Sequence, residues 1–335
     1  MKGDNKMKYI DLHCDTLSRL LSDGASLAKS DCQVDLEKLE KGGCAAQFFA
    51  MFVPTARVED PYKICLDMLA NAEKEFAANT DRIALCRSYA DLEKANAEGK
   101  VGAFLTVEDS GIFECDIEKM HHLYDHGLRL VTITWNFKNI AGSPNFTPEM
   151  SAEGLTAHGI EMVEEMERLG IIPDASHLSD GGFWSLVENC KKPFVASHSN
   201  ARAVASVTRN LTDEMLKALA NKGGVTGLNY LEGFVTPRQG DMFARPERPE
   251  NPEDRPKCTL EDLTKHATHI LNVAGEDVLA LGSDFDGINS WPEGLDDASC
   301  VPLVADAFKK AGITERVIEK IFYTNAARVI KDCIG

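Results

Sequence analysis

The sequence lacks the segments that would place a protein in or across a membrane. No apolar run approaches the roughly 18 residues that suggest a membrane span. Residues 1–8 are polar, and the apolar run that follows them is too short for the hydrophobic part of a secretion signal. These two absences predict a protein of the cytoplasm.

Paired cysteines are also missing, although the chain has ten cysteines, because they are spread singly and no two form a CxxC pair. Isolated cysteines in a chain without an export signal are typical of free, buried thiols in a reducing compartment. Cys14 lies between two residues of metal-binding type, His13 and Asp15. In a strand its side chain points to the opposite face from theirs, so we expect it to pack in the core rather than to bind a metal.

Positive charge is scarce as well. Lysine and arginine number 36 against 53 aspartates and glutamates, which gives a formal net charge of −17. Proteins that bind nucleic acid need clustered basic residues to meet the phosphate backbone, so this balance argues against that class. With 44% hydrophobic residues, the composition is that of an ordinary globule with a large core, and a small-molecule partner is favoured.

What the chain does have is a continuous alternation of strand-like and helix-like segments. This pattern predicts a single α/β domain over residues 1–335, a (β/α)₈ TIM-type barrel. A doubly wound open sheet is the alternative, but no GxGxxG follows the first strand. The predicted strands are residues 9–13, 44–53, 101–107, 128–135, 171–175, 194–197, 225–230 and 278–282, and the clearest predicted helices are 16–21, 61–78, 154–169, 183–190, 213–221, 260–273 and 315–330.

One segment interrupts the alternation. Residues 236–257 contain five prolines and many charges, and they follow the seventh predicted strand. The segment is either a solvated loop or a lid over the mouth of the barrel.

Histidines and carboxylates occur at the ends of five predicted strands. In a (β/α)₈ barrel the active site lies at the carboxyl ends of the strands, so these side chains should meet there. Imidazoles and carboxylates brought together are what a two-metal hydrolytic site requires. The candidate metal ligands are His13, Asp15, Glu108, His177, His198 and Asp284.

The other six histidines fall on predicted helices. Two of them, His266 and His269, have the i, i+3 spacing that can bind a metal, but a partly exposed helix face is the favoured interpretation of that pair. The remaining four are His121, His122, His126 and His158.

Five motifs together resemble the membrane (renal) dipeptidase family of the amidohydrolase superfamily. The similarity runs from Asp11 to the C-terminal TNAARVI, and the motifs are DLHCDTL, the isolated Glu108, DASHLS, ASHSNARAV and ALGSDFDG. The resemblance implies a (β/α)₈ barrel with two zinc ions, bridged by Glu108 and a water or hydroxide. It assigns His13, Asp15, Glu108 and Asp284 to the first ion, and Glu108, His177 and His198 to the second.

The same resemblance implies roles for residues around the metals. Asp284 would be the general base that takes a proton from water and passes it to the leaving amine. Arg209, in the segment SVTRN, matches the arginine that grips the substrate carboxylate; an ordinary surface arginine is the alternative. The tyrosine that accompanies this arginine falls at or beside Tyr230.

One position departs from the family pattern. Animal members carry a histidine after the fourth strand, in a TLTH-type run, that contacts the tetrahedral intermediate. This chain reads VTITWN there, so Trp135 occupies that place. An indole offers an N–H donor and no acid–base function, and Asn136 beside it could donate a hydrogen bond instead.

The sequence therefore predicts a binuclear zinc dipeptidase acting on short peptides with a free carboxylate, L–D dipeptides included. Three alternatives stay open: another amidohydrolase activity, such as deacetylation or lactone hydrolysis, on the same metals; a metal-binding barrel without turnover; and a purely structural barrel without metal. The net charge of −17 argues against a nucleic-acid partner, and we expect no membrane partner, since the export signal and lipid-anchor tail of the animal enzymes have no counterpart here. A homodimer is left open.

Overall fold

The computed structural model describes residues 7–114, 116–236 and 258–335. Within these ranges all strand pairings of the central sheet are parallel, as expected for strands joined by helical crossovers. The strands are β1 Tyr9–Cys14, β2 Cys44–Phe52, β3 Ile83–Leu85, β4 Val101–Glu108, β5 Leu128–Thr132, β6 Ile172–Asp174, β7 Val195–Ala196, β8 Val225–Leu228 and β9 Leu279–Leu281.

The sheet closes on itself. Strand β2 pairs with β1 on one side and with β4 on the other, and β1 pairs with β9. Eight strands thus form a ring, and β3 is attached beside the first residues of β4, with Ile83 opposite Val101. The predicted TIM-type barrel is confirmed, with all eight predicted strands in place. The ninth strand, β3, was not predicted because three residues are too few to show a pattern.

Helices follow the strands around the outside. Those predicted over residues 61–78 and 213–221 have the predicted bounds, and the helix predicted to end at Gly170 does so, with that glycine in the left-handed conformation at φ 84°. The helices are α1 Thr16–Asp23, α2 Leu36–Gly42, α3 Pro61–Ala78, α4 Tyr89–Ala97, α5 Ile117–Asp125, α6 Ala157–Leu169, α7 Asp180–Asn189, α8 Asp213–Asn221, α9 Glu232–Val235, α10 Leu260–Ala274, α11 Pro302–Lys310, α12 Glu315–Glu319 and α13 Asn325–Ile334.

The closing helix differs from its prediction. One continuous helix was expected over residues 315–330, but a five-residue π-helical segment, Lys320–Thr324, separates α12 from α13. A π-helical turn contains about one residue more than an α-helical turn. The side chains of α13 therefore point in a different direction from those of an uninterrupted helix. The rotated face buries Val329 and Ile330 against the barrel strands.

Two hydrophobic clusters build the core. The smaller one contains the stacked rings of Phe48 and Phe104, 4.7 Å apart on neighbouring strands, together with the buried face of α13. The larger one fills the layer between the strands and the surrounding helices, and it includes Cys14, as expected from its position in β1.

Three other expectations concern the cysteines, membrane-spanning helices and the segment 236–257. The nine cysteines of the described ranges are free. None of the described helices is long and apolar enough to cross a membrane. The segment proposed as a loop or lid, 236–257, lies outside the described residues apart from its first residue, Thr236.

Candidate metal centre

All six candidate ligands lie at the carboxyl edge of the barrel. His13 is the penultimate residue of β1, and Glu108 is the last residue of β4. The other four follow the ends of β1, β6, β7 and β9 by one to three residues; they are Asp15, His177, His198 and Asp284. The backbone ties two of these loops together, since the Asp284 N–H donates to the His13 carbonyl at 3.1 Å.

Glu108 stands at the middle of the cluster. Its Oε2 lies 3.5 Å from Nε2 of His13, while its Oε1 lies 3.0 Å from Nε2 of His177 and 3.7 Å from Nε2 of His198. One carboxylate oxygen therefore faces each half of the site, which is the arrangement of a carboxylate that bridges two cations.

The six residues form three overlapping triads, and within each triad the ligand atoms lie within 4.8 Å of one another. They are His13 with Asp15 and Glu108, Glu108 with His177 and His198, and His13 with His198 and Asp284. The structure brings together all six predicted residues. Its third triad places His198 beside the first group as well as the second, a link that the sequence did not predict.

The donor set suits Zn²⁺, which takes imidazole nitrogen and carboxylate oxygen ligands. Both ring nitrogens of His13 and Oδ1 of Asp15 are buried without a hydrogen-bond partner among the described residues. Nε2 of His177 and Nε2 of His198 face each other at 3.0 Å. Buried polar atoms that lack partners are costly, and a shared cation would satisfy them.

Burial shifts the pKa values of several side chains in the cluster. Burial, and the neighbouring Asp15 charge after it, raises the pKa of Glu108 to about 8. Burial likewise raises the pKa of Asp284 to about 7 and lowers the pKa of His177 and His198 well below the usual value. In each of these four side chains the shift favours the uncharged form. A group of acids and bases shifted in this way is typical of a functional site rather than of a structural ion pair.

Two of the six residues have a strained backbone. His177 has φ 67° and Asp284 has φ 63°, in the left-handed region that L-residues enter at a cost of roughly 1–2 kcal/mol. Such strain persists where the surrounding structure over-determines it, as at active sites. Here it turns each side chain back into the mouth of the barrel.

The residue that reaches Asp284 from β8 is Asn229, not its neighbour. Asn229 Nδ2 donates to Asp284 Oδ2 at 2.9 Å. Tyr230, predicted from the sequence to contact substrate, is fully buried against Phe285, with its ring centroid 5.5 Å from that of Phe285. Among the described residues no hydrogen bond or ring contact links it to the six candidate ligands, and its hydroxyl is buried without a hydrogen-bond partner, so its contact with substrate stays a prediction. Successive residues in extended chain face opposite sides, which is why Asn229 rather than Tyr230 reaches Asp284.

Trp135 and Asn136 lie beside His177. Asn136 Oδ1 accepts a hydrogen bond from His177 Nδ1 at 2.9 Å, so its amide holds the imidazole rather than presenting a donor at this contact. The Trp135 ring centroid lies 6.3 Å from that of His177, 4.9 Å from that of Phe52 and 5.7 Å from that of Phe137. Trp135 is half-buried and forms part of an aromatic wall next to the cluster.

Arg209 is buried, so the alternative of a surface arginine is wrong. Its guanidinium donates to Ser199 Oγ and to the His198 carbonyl, both at 3.3 Å, and lies over the ring of Phe234 at 5.2 Å. Its Nε has no hydrogen-bond partner among the described residues. Burial lowers its pKa to about 10, so it keeps its charge at neutral pH. A buried cation with weak, incomplete partners is suited to an anionic ligand.

The histidine pair on α10 has other functions. His266 is buried, accepts from the Ala201 N–H at 3.1 Å and lies 2.8 Å from the Val235 carbonyl, so it joins three segments. His269 is half-buried and pairs with Asp213 at 2.7 Å. Within the described ranges neither belongs to a group of three possible ligands. The exposed-face interpretation is right for His269 and wrong for His266.

Sequence reasoning missed Gly287, which packs against two of the candidate ligands. A Cβ at this position would collide with Asp15 Oδ2 and lie 2.8 Å from Asp284 Oδ1. The motif GSDFDG contained a weak signal, because glycine is the residue used where the backbone approaches another group closely, and Gly287 follows Asp284 by three residues.

Gly287→Ala should therefore displace one of these carboxylates without unfolding the barrel. We expect metal affinity to fall by about tenfold or more, since ligand misplacement has effects of this size. Elemental analysis after dialysis against a zinc buffer measures the loss. Gly154→Ala is the control, because its Cβ would meet Ser185 Oγ at 2.7 Å, outside the cluster, and Gly154 has no positive φ. Equal zinc content in Gly287→Ala and the unmodified chain would contradict the prediction.

A parallel barrel with a buried cluster of histidines and carboxylates at its carboxyl edge defines a metal-dependent hydrolase of the amidohydrolase kind. Comparison with known proteins narrows this class. Residues 4–333 match the membrane dipeptidase family, peptidase family M19. The chain belongs to this family of metallo-dipeptidases.

Two relatives are similar to this chain over most of their length. The uncharacterized protein in the pqqA 5′ region of Klebsiella pneumoniae is 32% identical over 282 residues, which cover 82% of this chain and 97% of that protein. The uncharacterized dipeptidase C965.12 of Schizosaccharomyces pombe is 29% identical over 353 residues, 97% of this chain and 80% of that one.

A solved structure is similar over the whole length. The metallo peptidase from Rhodobacter sphaeroides, liganded with a phosphinate mimic of the dipeptide L-Ala-D-Ala, has a TM-score of 0.86 at 26% identity. The alignment covers 98% of this chain and 100% of that one. The dipeptidase AC, a metallo peptidase of family M19, also gives a TM-score of 0.86, at 28% identity, with 99% and 100% covered.

Proposed function

We propose that the protein is a binuclear zinc dipeptidase that hydrolyses dipeptides with a free C-terminal carboxylate, including those with a D-residue at that end. The observation that carries the proposal is the buried, incompletely partnered Arg209, whose guanidinium donates to the backbone carbonyl of the candidate ligand His198. The Rhodobacter sphaeroides relative binds a mimic of L-Ala-D-Ala, which supports the stereochemical part.

Six residues would hold the two ions. His13, Asp15 and Asp284 would bind one, His177 and His198 the other, and Glu108 would serve both. When bound, two zinc ions lower the pKa of a water molecule and polarise the scissile carbonyl.

Asp284 is the proposed proton carrier. Its Oδ2 accepts a hydrogen bond from Asn229, and its side chain is 13% exposed, the most open of the carboxylates around His13. The carboxylate takes the proton of the attacking water and returns it to the leaving amine nitrogen. Asn229 fixes the carboxylate while the proton moves, because its amide donates to one oxygen only.

Arg209 and Trp135 are the proposed substrate contacts. The planar guanidinium would bind the terminal carboxylate with two parallel hydrogen bonds, which sets the distance from that carboxylate to the scissile bond. The aromatic wall of Phe52, Trp135 and Phe137 would contact an apolar side chain of the substrate. Asn136, predicted to contact substrate, would act on His177 instead.

A substrate panel tests this proposal against other amidohydrolase activities. Zinc-loaded protein is assayed with L–L dipeptides, L–D dipeptides, N-acetyl amino acids and lactones. We expect turnover of dipeptides, with the L–D pairs among the substrates. Turnover confined to acetyl amino acids or lactones would contradict the dipeptidase assignment, and a two-zinc protein inactive on the whole panel would indicate a metal-binding barrel without turnover.

A further inference from the structure

Asp174 is a fully buried carboxylate that the proposed reaction does not use. Its Oδ1 accepts from the backbone N–H groups of Ser176 at 2.9 Å and Ser197 at 2.8 Å. Its Oδ2 accepts from Thr132 Oγ1 at 2.7 Å and from Ser197 Oγ at 2.6 Å. Four donors from the ends of β5, β6 and β7 therefore occupy the lone pairs of this carboxylate.

The Ser197 hydroxyl connects Asp174 to a candidate metal ligand. Ser197 Oγ lies 2.6 Å from Asp174 Oδ2 and 2.7 Å from His198 Nδ1. A hydroxyl has a single proton to donate, and an ionised carboxylate has none. Ser197 thus donates to Asp174, and its oxygen accepts a hydrogen bond from the Nδ1–H of His198.

This direction determines the tautomer of the imidazole. With its proton on Nδ1, His198 has a free lone pair on Nε2, which faces Glu108 Oε1 at 3.7 Å and His177 Nε2 at 3.0 Å. The other tautomer would direct an N–H into the cluster and oppose a cation there. Histidine ligands are commonly held in one tautomer by the hydrogen bond at the second ring nitrogen.

We propose that Asp174, acting through Ser197, is a positioning residue that holds His198 in the tautomer able to bind the cation shared with Glu108 and His177. The inference rests on the proposed two-metal function and deepens it. Among the described residues the three histidines differ in the partner of their Nδ1 atom. Nδ1 of His177 donates to an amide oxygen, and Nδ1 of His13 has no partner. The site shared by His177 and His198 is thus the one whose affinity a distant carboxylate controls.

Ser197→Ala removes the connection and keeps the volume nearly unchanged. We expect the affinity for one of the two zinc ions to fall about 10- to 100-fold, the usual effect of removing such a partner, while the other is retained. Full-length protein loaded with zinc is titrated with a competing chelator, and zinc per chain is measured at each step. Ser176→Ala is the matched control, because that buried hydroxyl accepts from the His198 backbone N–H at 3.0 Å and lies 3.4 Å from Ser197 Oγ, but it does not touch the ring.

A second measurement separates positioning from a purely structural role. In zinc-free protein with ¹⁵N-labelled histidine, long-range ¹H–¹⁵N spectra should show the His198 proton on Nδ1, and in Ser197→Ala it should be distributed over both nitrogens. Asp174→Asn, which removes the charged acceptor, should reproduce both changes. Ser176→Ala should show neither.

Two outcomes would overturn the inference: Ser197→Ala binding both ions as tightly as the unmodified chain, or Ser176→Ala losing zinc to the same extent. Either leaves the dipeptidase proposal standing. Conversely, an unmodified chain that binds two zinc ions but cleaves no dipeptide refutes the proposed function, while the comparison of affinities still decides the role of Asp174.

Discussion

Glu108→Ala is expected to abolish both zinc binding and dipeptide hydrolysis. One oxygen of Glu108 faces His13 and the other faces His177 and His198, so its removal weakens both halves of the site at once. Two-metal catalysis is worth several kcal/mol, and each 1.4 kcal/mol is tenfold in rate, so the loss should be about 1,000-fold or more. Zinc per chain and kcat/KM, measured on the same sample, check the expectation.

A matched control for this variant is Glu167→Ala. Glu167 is also buried, but it accepts from the backbone N–H groups of Lys191 and Lys192, outside the cluster. We expect this variant to lose stability, because two backbone donors lose their partner, and to keep its zinc. If Glu108→Ala retained two zinc ions per chain, or if both variants lost zinc equally, the bridging role would be refuted.

Arg209→Met should lower kcat/KM for dipeptides by about 100- to 1,000-fold. Truncating one partner of a buried, charged hydrogen-bonded pair costs roughly 2–5 kcal/mol. The same variant should change the turnover of dipeptide amides by less than about tenfold, since an amide lacks the carboxylate that the guanidinium binds. The ratio of the two substrates, measured for both proteins, isolates this contact from any general damage to the site.

Arg202 provides the control for that substitution. It lies seven residues earlier, and its guanidinium forms two hydrogen bonds with Asp180, at 2.7 Å and 2.8 Å. Arg202→Met should destabilise the loop and leave the ratio of dipeptide to dipeptide-amide turnover unchanged. A normal ratio in Arg209→Met would show that another group binds the substrate carboxylate.

The barrel could be predicted because its information is local. Runs of apolar residues mark the strands, and a glycine such as Gly170 marks a helix end, so eight strands and most of the helices between them were found in order. Helices α2, α4, α9 and α11 were not predicted. Strand β3 and the π-helical segment at Lys320–Thr324 could not be found this way. The first depends on pairing with β4, and the second on how the C-terminal helix packs against the barrel.

The candidate ligands were predictable for a related reason. A residue at the end of a parallel strand is placed at one edge of the barrel whatever the details of packing, which is how His13 and Glu108 come together. Contacts between loops are not determined in that way. Asn229 faces Asp284 and Tyr230 faces the outer layer because of a one-residue difference in register, and no local pattern shows it.

The partners of the histidines were missed for the same reason. Asp174, Ser197 and Thr132 lie at or just beyond the ends of three strands that are neighbours in the sheet but far apart in the sequence. The left-handed backbone at His177 and Asp284 was also not predictable. Aspartate and histidine enter that region more often than most residues, but still rarely, and here the folded loops impose it.

The zinc content of the full-length protein tests the central claim most directly. After equilibration with a zinc buffer and removal of loosely bound ions, elemental analysis should give two zinc ions per chain, held by the six residues at the carboxyl edge of the barrel. Fewer than one ion per chain would contradict the account, because the buried histidines and carboxylates would then have another function.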